Sequence, residues 1–337
     1  MPPWIVAAGG RANLDGRFRP ADIRLVAPHL QLHTVEYRHR FQCSAETALC
    51  IVLYRLSAPA SGLKAMMATF RRSRTWLSIV FNDVVEHLIA RYRGLLFWDA
   101  DRLTYPELQR YASAVLSEGG AQGLWGFVDG TMRVICRPDR NRRLYEDHSR
   151  RKKSRAIKYQ VVLTPDGLVS HLAGPYMGRD GCWAVYQRSN LADCIRAVHE
   201  TRFRAGNGDY DADGHDARGG QLFVYGDDSA YEISYGLISP YQVQPGQPLD
   251  SKRTEFNARL STLRRRIERG PGQAMALWGY YNGYSKAGLG AGLSPVAAYF
   301  MVSVLLSNIY TCMYGNRTSR KFRCSPPSIE DYLRAVR

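Results

Sequence analysis

Residues 124–137 read LWGFVDGTMRVICR. Aromatic and β-branched residues crowd both sides of Asp129-Gly130, which is strand composition. An Asp-Gly pair between two such runs is a hairpin signal. Two short strands, 124–130 and 131–137, are therefore expected, with Asp129 at the end of the first. An Asp before Gly is most often only a turn former, and spacing alone favours that reading of Asp129.

Upstream the texture is helical. ETALCIVLYRL (46–56), GLKAMMATF (62–70) and SRTWLSIVFNDVVEHLIARY (73–92) read as three close-set helices joined by short links. TYPELQRYASAVLSEGG (104–120) reads as a fourth, with Pro106 in its first turn and glycines at its end. Three such helices with FRRSR before the third resemble a helix-turn-helix, although a plain helical bundle is the commoner arrangement. Residues 1–40 are punctuated by Arg, Gly and Pro and are expected to be loosely ordered.

Downstream, IKYQVVLT (157–164), the turn PDG and LVSHLAG (168–174) read as a hairpin, and QLFVYG (221–226) as a buried strand. FRAGNGDYDADGHDARGG (203–220) reads as a polar loop. EFNARLSTLRRRIERG (255–270) is an amphipathic helix with Phe256, Leu260, Leu263 and Ile267 on one stripe, ended by Gly270-Pro271. Helices, then four strands, a fifth strand and a helix, predict an α/β domain with a mixed sheet behind an all-α region. The expected divisions are 1–40, a helical region over 41–120, and the α/β domain over 121–333.

The chain has 337 residues, 45% of them apolar, enough for a sizeable core. Its net charge of +16 favours polyanionic partners, nucleic acid before an acidic membrane surface. Seven cysteines at wide spacing, without a CxxC, read as free thiols of a reducing compartment. MPPWIVAAGGRANLDG lacks the basic region and apolar length of a signal peptide. VAAYFMVSVLL (296–306) is shorter than a bilayer span and reads as a buried core helix; no membrane partner is expected.

The chemistry lies in the acidic residues. Asp129 ends one strand, Asp227 and Asp228 follow another in YGDDSAY (225–231), and Glu268 lies on the next helix. Carboxylates converging from strand ends and a helix suit hard divalent cations, and two such ions support phosphoryl transfer. Glu268 also has a plainer reading, a surface ion pair with Arg264 four residues earlier. Neighbours on a strand face opposite ways. Asp228 goes with Leu222, Val224 and Gly226, and Asp227 with Phe223 and Tyr225. The two are alternatives rather than a pair. His148 and His171 have no second ligand at metal spacing, and lone histidines are mostly structural.

GFVDGTMRVICRP, KYQVVLTPDGLVSHLAGPYMGR, YGDDSAY with LISPY, FNARLS with RIERG, and CMYGNRTSRKFRCSPPSIEDYL occur in one order. Together they resemble a PIF/Harbinger-type transposase of the DDE superfamily endonuclease group, over most of 110–333. The upstream helices resemble that family's DNA-binding region. The resemblance implies an RNase H-like fold and a divalent-metal site for Mg²⁺ or Mn²⁺, two ions in number. Its Asp-Asp-Glu triad would be Asp129, Asp228 and Glu268, which serve as both catalytic residues and metal ligands. Asp228 fits the family's Asp-x-Ala-Tyr pattern, and Asp227 is the alternative second ligand.

The implied activity is cleavage of phosphodiester bonds at transposon ends and joining of the freed 3′-hydroxyl to target DNA. The implied partners are terminal inverted repeats, target DNA and a Myb-like accessory protein. A homo-oligomer is compatible, and the expected location is the nucleus. Two departures suit a second reading, a decayed or domesticated DNA-binding descendant. GRDGCW (178–183) replaces the family's Gly-Arg-x-His-Asp, and RGP follows Glu268 in place of Trp-x-Phe. A generic RNA-binding protein is weaker, because no RNA module signature is present.

Ten basic residues fall between 133 and 155, against three acidic ones. Arg142, Arg143, Arg150, Arg151, Lys152, Lys153 and Arg155 are the candidates for DNA backbone contact, which is salt-sensitive and sequence-blind. Arg71, Arg72 and Arg74 mark where the third helix would enter a groove.

Overall fold

The computed structural model describes residues 18–57, 63–134, 156–204, 221–226, 231–243, 248–276, 278 and 295–334, with backbone only at 63, 134, 202–204, 266–276 and 295–296. Helices α1 (Pro20–His29), α2 (Ala45–Ser57), α3 (Leu63–Phe70), α4 (Arg74–Phe97) and α5 (Tyr105–Ser117) lead into strand β1 (Leu124–Val134). Strands β2 (Ala156–Leu163) and β3 (Val169–Met177), helices α6 (Cys182–Arg188) and α7 (Leu191–Arg204), and strands β4 (Phe223–Gly226) and β5 (Leu237–Ile238) follow. Helices α8 (Ser251–Ala276), α9 (Pro295–Tyr314), α10 (Arg317–Lys321) and α11 (Ile329–Tyr332) complete the described chain.

The sheet order is β3-β2-β1-β4-β5. β1 and β2, and β2 and β3, are antiparallel, whereas β1–β4 and β4–β5 are parallel. A mixed five-stranded sheet of this order behind an N-terminal helical region is the expected RNase H-like α/β arrangement. Helices cover both faces. Tyr159 packs on Phe300 of α9 on one face, at 4.4 Å between ring centroids. Gln160, its neighbour on β2, reaches Ser189 on the other, at 2.8 Å. Helices α4, α8 and α9 share the first side; α5, α6 and α7 share the second.

Three expectations are corrected. The Asp129-Gly130 pair does not turn the chain, because β1 runs straight through it and pairs Asp129 with Val161 and Gly130 with Gln160. Gly130 serves close packing here. A Cβ on it would stand 2.9 Å from Lys158 Cε and 3.4 Å from Cys182 Sγ. Helix α8 continues through Gly270-Pro271 to Ala276, since one proline removes a single ladder donor and a long helix can carry that loss. The chain between β3 and β4 holds two helices, whose apolar positions Val185, Tyr186, Leu191 and Ile195 are all buried.

The N-terminal helices are built into the same core as the sheet. Ile23, Val26 and Ala27 of α1 are buried, so residues 18–40 are not loosely ordered as expected; residues 1–17 lie outside the described residues. Helix α4 buries Leu77, Val80, Phe81, Val84, Leu88 and Tyr92, and packs on α2, α9 and β3. The apolar run 296–306 belongs to the 20-residue helix α9. Its window Ala297–Tyr314 is long and apolar enough to cross a membrane, yet 72% of it is buried inside the protein. The six described cysteines are free thiols, and Cys136 lies outside the described residues.

Two polar devices fasten the helices to the sheet. The PDG turn closes with Gly167 in the left-handed region, at φ +86°, and Asp166 inside it is fully buried. Its carboxylate accepts from Thr164, at 2.5 Å, from the Leu168 amide, at 3.1 Å, and from Tyr111 of α5, at 2.6 Å. Arg102 bridges Asp166 and Asp99 at 3.3 and 3.2 Å, so every buried charge there has a partner, as burial demands. Nearby, the His171 ring donates from Nδ1 to the Phe97 carbonyl at 2.5 Å, joining β3 to the end of α4.

Burial pushes the His171 imidazole down to about 4, only partly opposed by that hydrogen bond. The unfolded chain takes up this proton near the ordinary value of about 6.5 and the folded chain does not. Stability is therefore complete above that value and lost as pH falls from about 6.5 to 4, by about 3 kcal/mol. Urea denaturation at pH 7 and pH 4.5 should show this slope in the wild type and a flatter one in His171→Asn.

Candidate active site

Asp129 is the one member of the expected triad whose side chain is described. It sits in the middle of β1, on the same face as Phe127. Phe127 and Tyr225 are partners across the parallel β1–β4 pair, with ring centroids 6.3 Å apart. Val128 is level with Gly226, the last residue of β4. Asp227 and Asp228 follow at once but lie outside the described residues.

The Asp129 carboxylate is about one-third exposed. Its Oδ1 accepts from the Gly130 amide at 2.8 Å and from Arg264 Nη2 at 3.0 Å. Arg264 belongs to α8, and Leu260 and Leu263 fix that helix by burying themselves in the core. Phe256, the third described member of the expected stripe, is partly buried against the same core. The side chains of Ile267 and Glu268 lie outside the described residues, although the α8 backbone includes both. Positions 264 and 268 are neighbours on one helix face, about 6 Å apart along the axis and about 40° around it. The contact between α8 and Asp129 sets that helix against β1, beside the end of β4.

Gly226, at that end, is closely packed. A Cβ on it would stand 2.7 Å from Tyr231 Cδ2 and 3.0 Å from Cε2. Tyr231 is buried and meets Tyr186 of α6 edge-on, at 6.3 Å. The alternation that would separate Asp227 from Asp228 falls on residues outside the described ones.

On the opposite face, Lys158 is buried beside Gly130 and donates to the Asp180 carbonyl and to Cys182 Sγ, both at 3.0 Å. Asp180 itself pairs with Arg188 at 2.5 Å, which holds its carboxyl below the usual range. Lys158, reached through the glycine at 130, had no sequence signal beyond its place in β2. A cavity of about 810 Å³ between α5 and α7, lined by Trp98, Tyr105 and Val198 among others, lies on this side and is separate from Asp129.

Of the DNA candidates, Arg71, Arg72 and Arg74 are exposed at the start of α4. Ser73 caps the helix by accepting from the Trp76 amide at 3.2 Å, and the Arg72 guanidinium lies over the Trp76 ring at 4.9 Å. This entrance is free to meet a partner even though the rest of α4 is core. Arg142, Arg143, Arg150, Arg151, Lys152, Lys153 and Arg155 all belong to the β1–β2 connection and lie outside the described residues. Arg133, at its start, lies over Phe300 at 5.1 Å. His148 lies outside the described residues, and His171 is structural.

The residues present suit a divalent cation at Asp129, an oxygen donor that is partly open and already holds one cation, the guanidinium. Among the described residues no three His, Cys, Asp or Glu side chains gather as a metal cluster.

The Gly226→Ala substitution should destabilise the protein by about 1–3 kcal/mol by forcing the buried Tyr231 ring off its seat. Denaturant midpoints check it; an unchanged midpoint would mean that the Tyr231 ring does not seat on Gly226.

The model of the DDE superfamily endonuclease family matches residues 128–308, more than half of the chain, which takes in β1 from Val128 onward and all of β4 and α8. No curated protein matches, nor does any solved structure. Nucleases of this family generally use divalent metals, and the family implies DNA binding. By its sheet, its helix order and this match, the chain belongs to the DDE superfamily endonuclease family.

Proposed function

We propose that the protein is a metal-dependent DNA endonuclease and transposase of the Harbinger type, with Asp129, Asp228 and Glu268 as its triad. The observation that carries this is the Arg264–Asp129 contact, which seats the Glu268 helix against the strand of the first carboxylate. Chain reach supports the second carboxylate. Gly226 is level with Val128 on neighbouring strands about 4.8 Å apart, and two residues span at most about 7 Å beyond it. Asp228 is chosen over Asp227 by the Asp-x-Ala-Tyr match that ends in Tyr231.

Mg²⁺ or Mn²⁺, when bound, would supply activation of the attacking oxygen and stabilisation of the leaving oxygen. Asp129, Asp228 and Glu268 would hold it. The Gly130 amide fixes one oxygen of Asp129 and so orients the carboxylate. Basic residues of the β1–β2 connection would grip phosphates, and the entrance of α4 would read the terminal repeats. A nuclear location follows from such a target.

The second reading, a descendant that binds DNA without cutting it, is favoured by Cys182. Its sulfur meets the buried Lys158 where the family has a carboxylate.

One experiment separates them: nicking of DNA that carries the element's own terminal repeats, with Mg²⁺ or Mn²⁺. The parent should cut. Asp129→Asn, Asp228→Asn and Glu268→Gln should lose at least about a hundredfold in rate with DNA binding retained, and Asp227→Asn should only weaken cutting. A parent that binds and never nicks supports the descendant; loss on Asp227→Asn with Asp228→Asn active reassigns the second ligand.

A further inference from the structure

Arg264 lies fifteen per cent exposed between α8 and β1, with its Nη2 on the same Asp129 oxygen that the Gly130 amide fixes. It is the first of a run of three arginines, of which the next, Arg265, is exposed and reaches back to Ser261 and Thr262 of its own helix. Arg264 is thus the member of that run, among those whose side chains are described, that turns to the sheet. A guanidinium cannot lose its proton at any working pH. It places a permanent positive charge on the carboxylate that the proposed function assigns to a divalent ion.

We propose that Arg264 is a built-in stand-in for the ion. It neutralises and orients Asp129 while the site is unloaded, and it competes directly with the divalent cation for Oδ1. This rests on the reading of Asp129 as a metal ligand and adds a positioning residue to it. Two cations of like charge repel at one carboxylate oxygen, so loading requires the ion pair to open. The pair is partly buried and therefore less screened than a surface pair. Coupling is reciprocal: whatever binding an ion costs the arginine contact, the arginine contact costs the ion. The arrangement also suits the architecture. Asp129 and Arg264 are 135 positions apart in the chain, and their pairing holds α8 against the sheet before any ion is present.

The test is Mn²⁺ titration of the full chain, read by electron paramagnetic resonance, beside thermal melting without metal. Arg264→Gln should bind Mn²⁺ about fivefold more tightly and melt at a lower temperature without metal. Arg264→Lys, which keeps the charge, should bind close to the parent. In the Asp129→Asn background, Arg264→Gln should leave Mn²⁺ affinity unchanged. A purely structural arginine would lower melting temperature and Mn²⁺ affinity together, and that result, or equal affinity in parent and Arg264→Gln, overturns the proposal. Mn²⁺ affinity that is indifferent to Asp129→Asn overturns the metal reading itself, which keeps the two failures distinct.

Discussion

The parallel pairing of β1 with β4 is the constraint on which the rest of the molecule depends. Parallel neighbours cannot be joined by a tight turn; the chain must cross over before it returns. Here the crossover carries β2, β3, α6 and α7, and the return sets Tyr225 beside Phe127 and Gly226 beside Val128. The end of β4, which Asp227 and Asp228 follow in the sequence, is thereby brought level with Val128, beside Asp129. No local interaction could do this. The cost of closing so long a loop grows only slowly with its length, and the apolar faces of both strands offset it.

Charge is distributed around that end with a clear division. The face of Asp129 meets Arg264 on α8; the other face buries Lys158 beside Cys182. At Gly130 and at Gly226 neighbouring groups come within contact of the bare backbone. Each glycine marks close packing against a strand, and neither lies in the left-handed region. The helical region upstream is part of the same body. Arg102, Asp99, Asp166 and Tyr111 form a buried polar clamp between the α4–α5 connection and the β2–β3 turn. A DNA-reading entrance at Arg71, Arg72 and Arg74 would therefore be rigidly placed relative to the carboxylates.

Much of this was legible from residue patterns. Helices α2 to α5 followed from apolar periodicity, and the β2–β3 hairpin from PDG between two β-rich runs. Where the reading failed, the reasons are physical. Asp129-Gly130 carries hairpin chemistry, but a glycine serves turns and close contacts alike, and only the neighbours at Lys158 and Cys182 tell which. Residues 18–40 looked loose because Arg and Pro punctuate them, yet Ile23, Val26 and Leu30 find partners in distant helices. Asp166 looked like an ordinary turn residue because its partners, Arg102 and Tyr111, lie more than fifty positions away.

The sequence by itself determined the element types, the excess of positive charge and the identity of the acidic residues, because these depend on composition and short-range periodicity. The order of blocks from GFVDG to RIERG also sufficed to indicate the family. Only the tertiary structure decided that β1 is one unbroken strand, that α4 is a core helix exposed at its entrance, and that Arg264 turns to Asp129 and not merely along its own helix. Those outcomes rest on pairings between residues far apart in the chain. Sequence periodicity specifies which face of an element is apolar, but not which distant face it will meet.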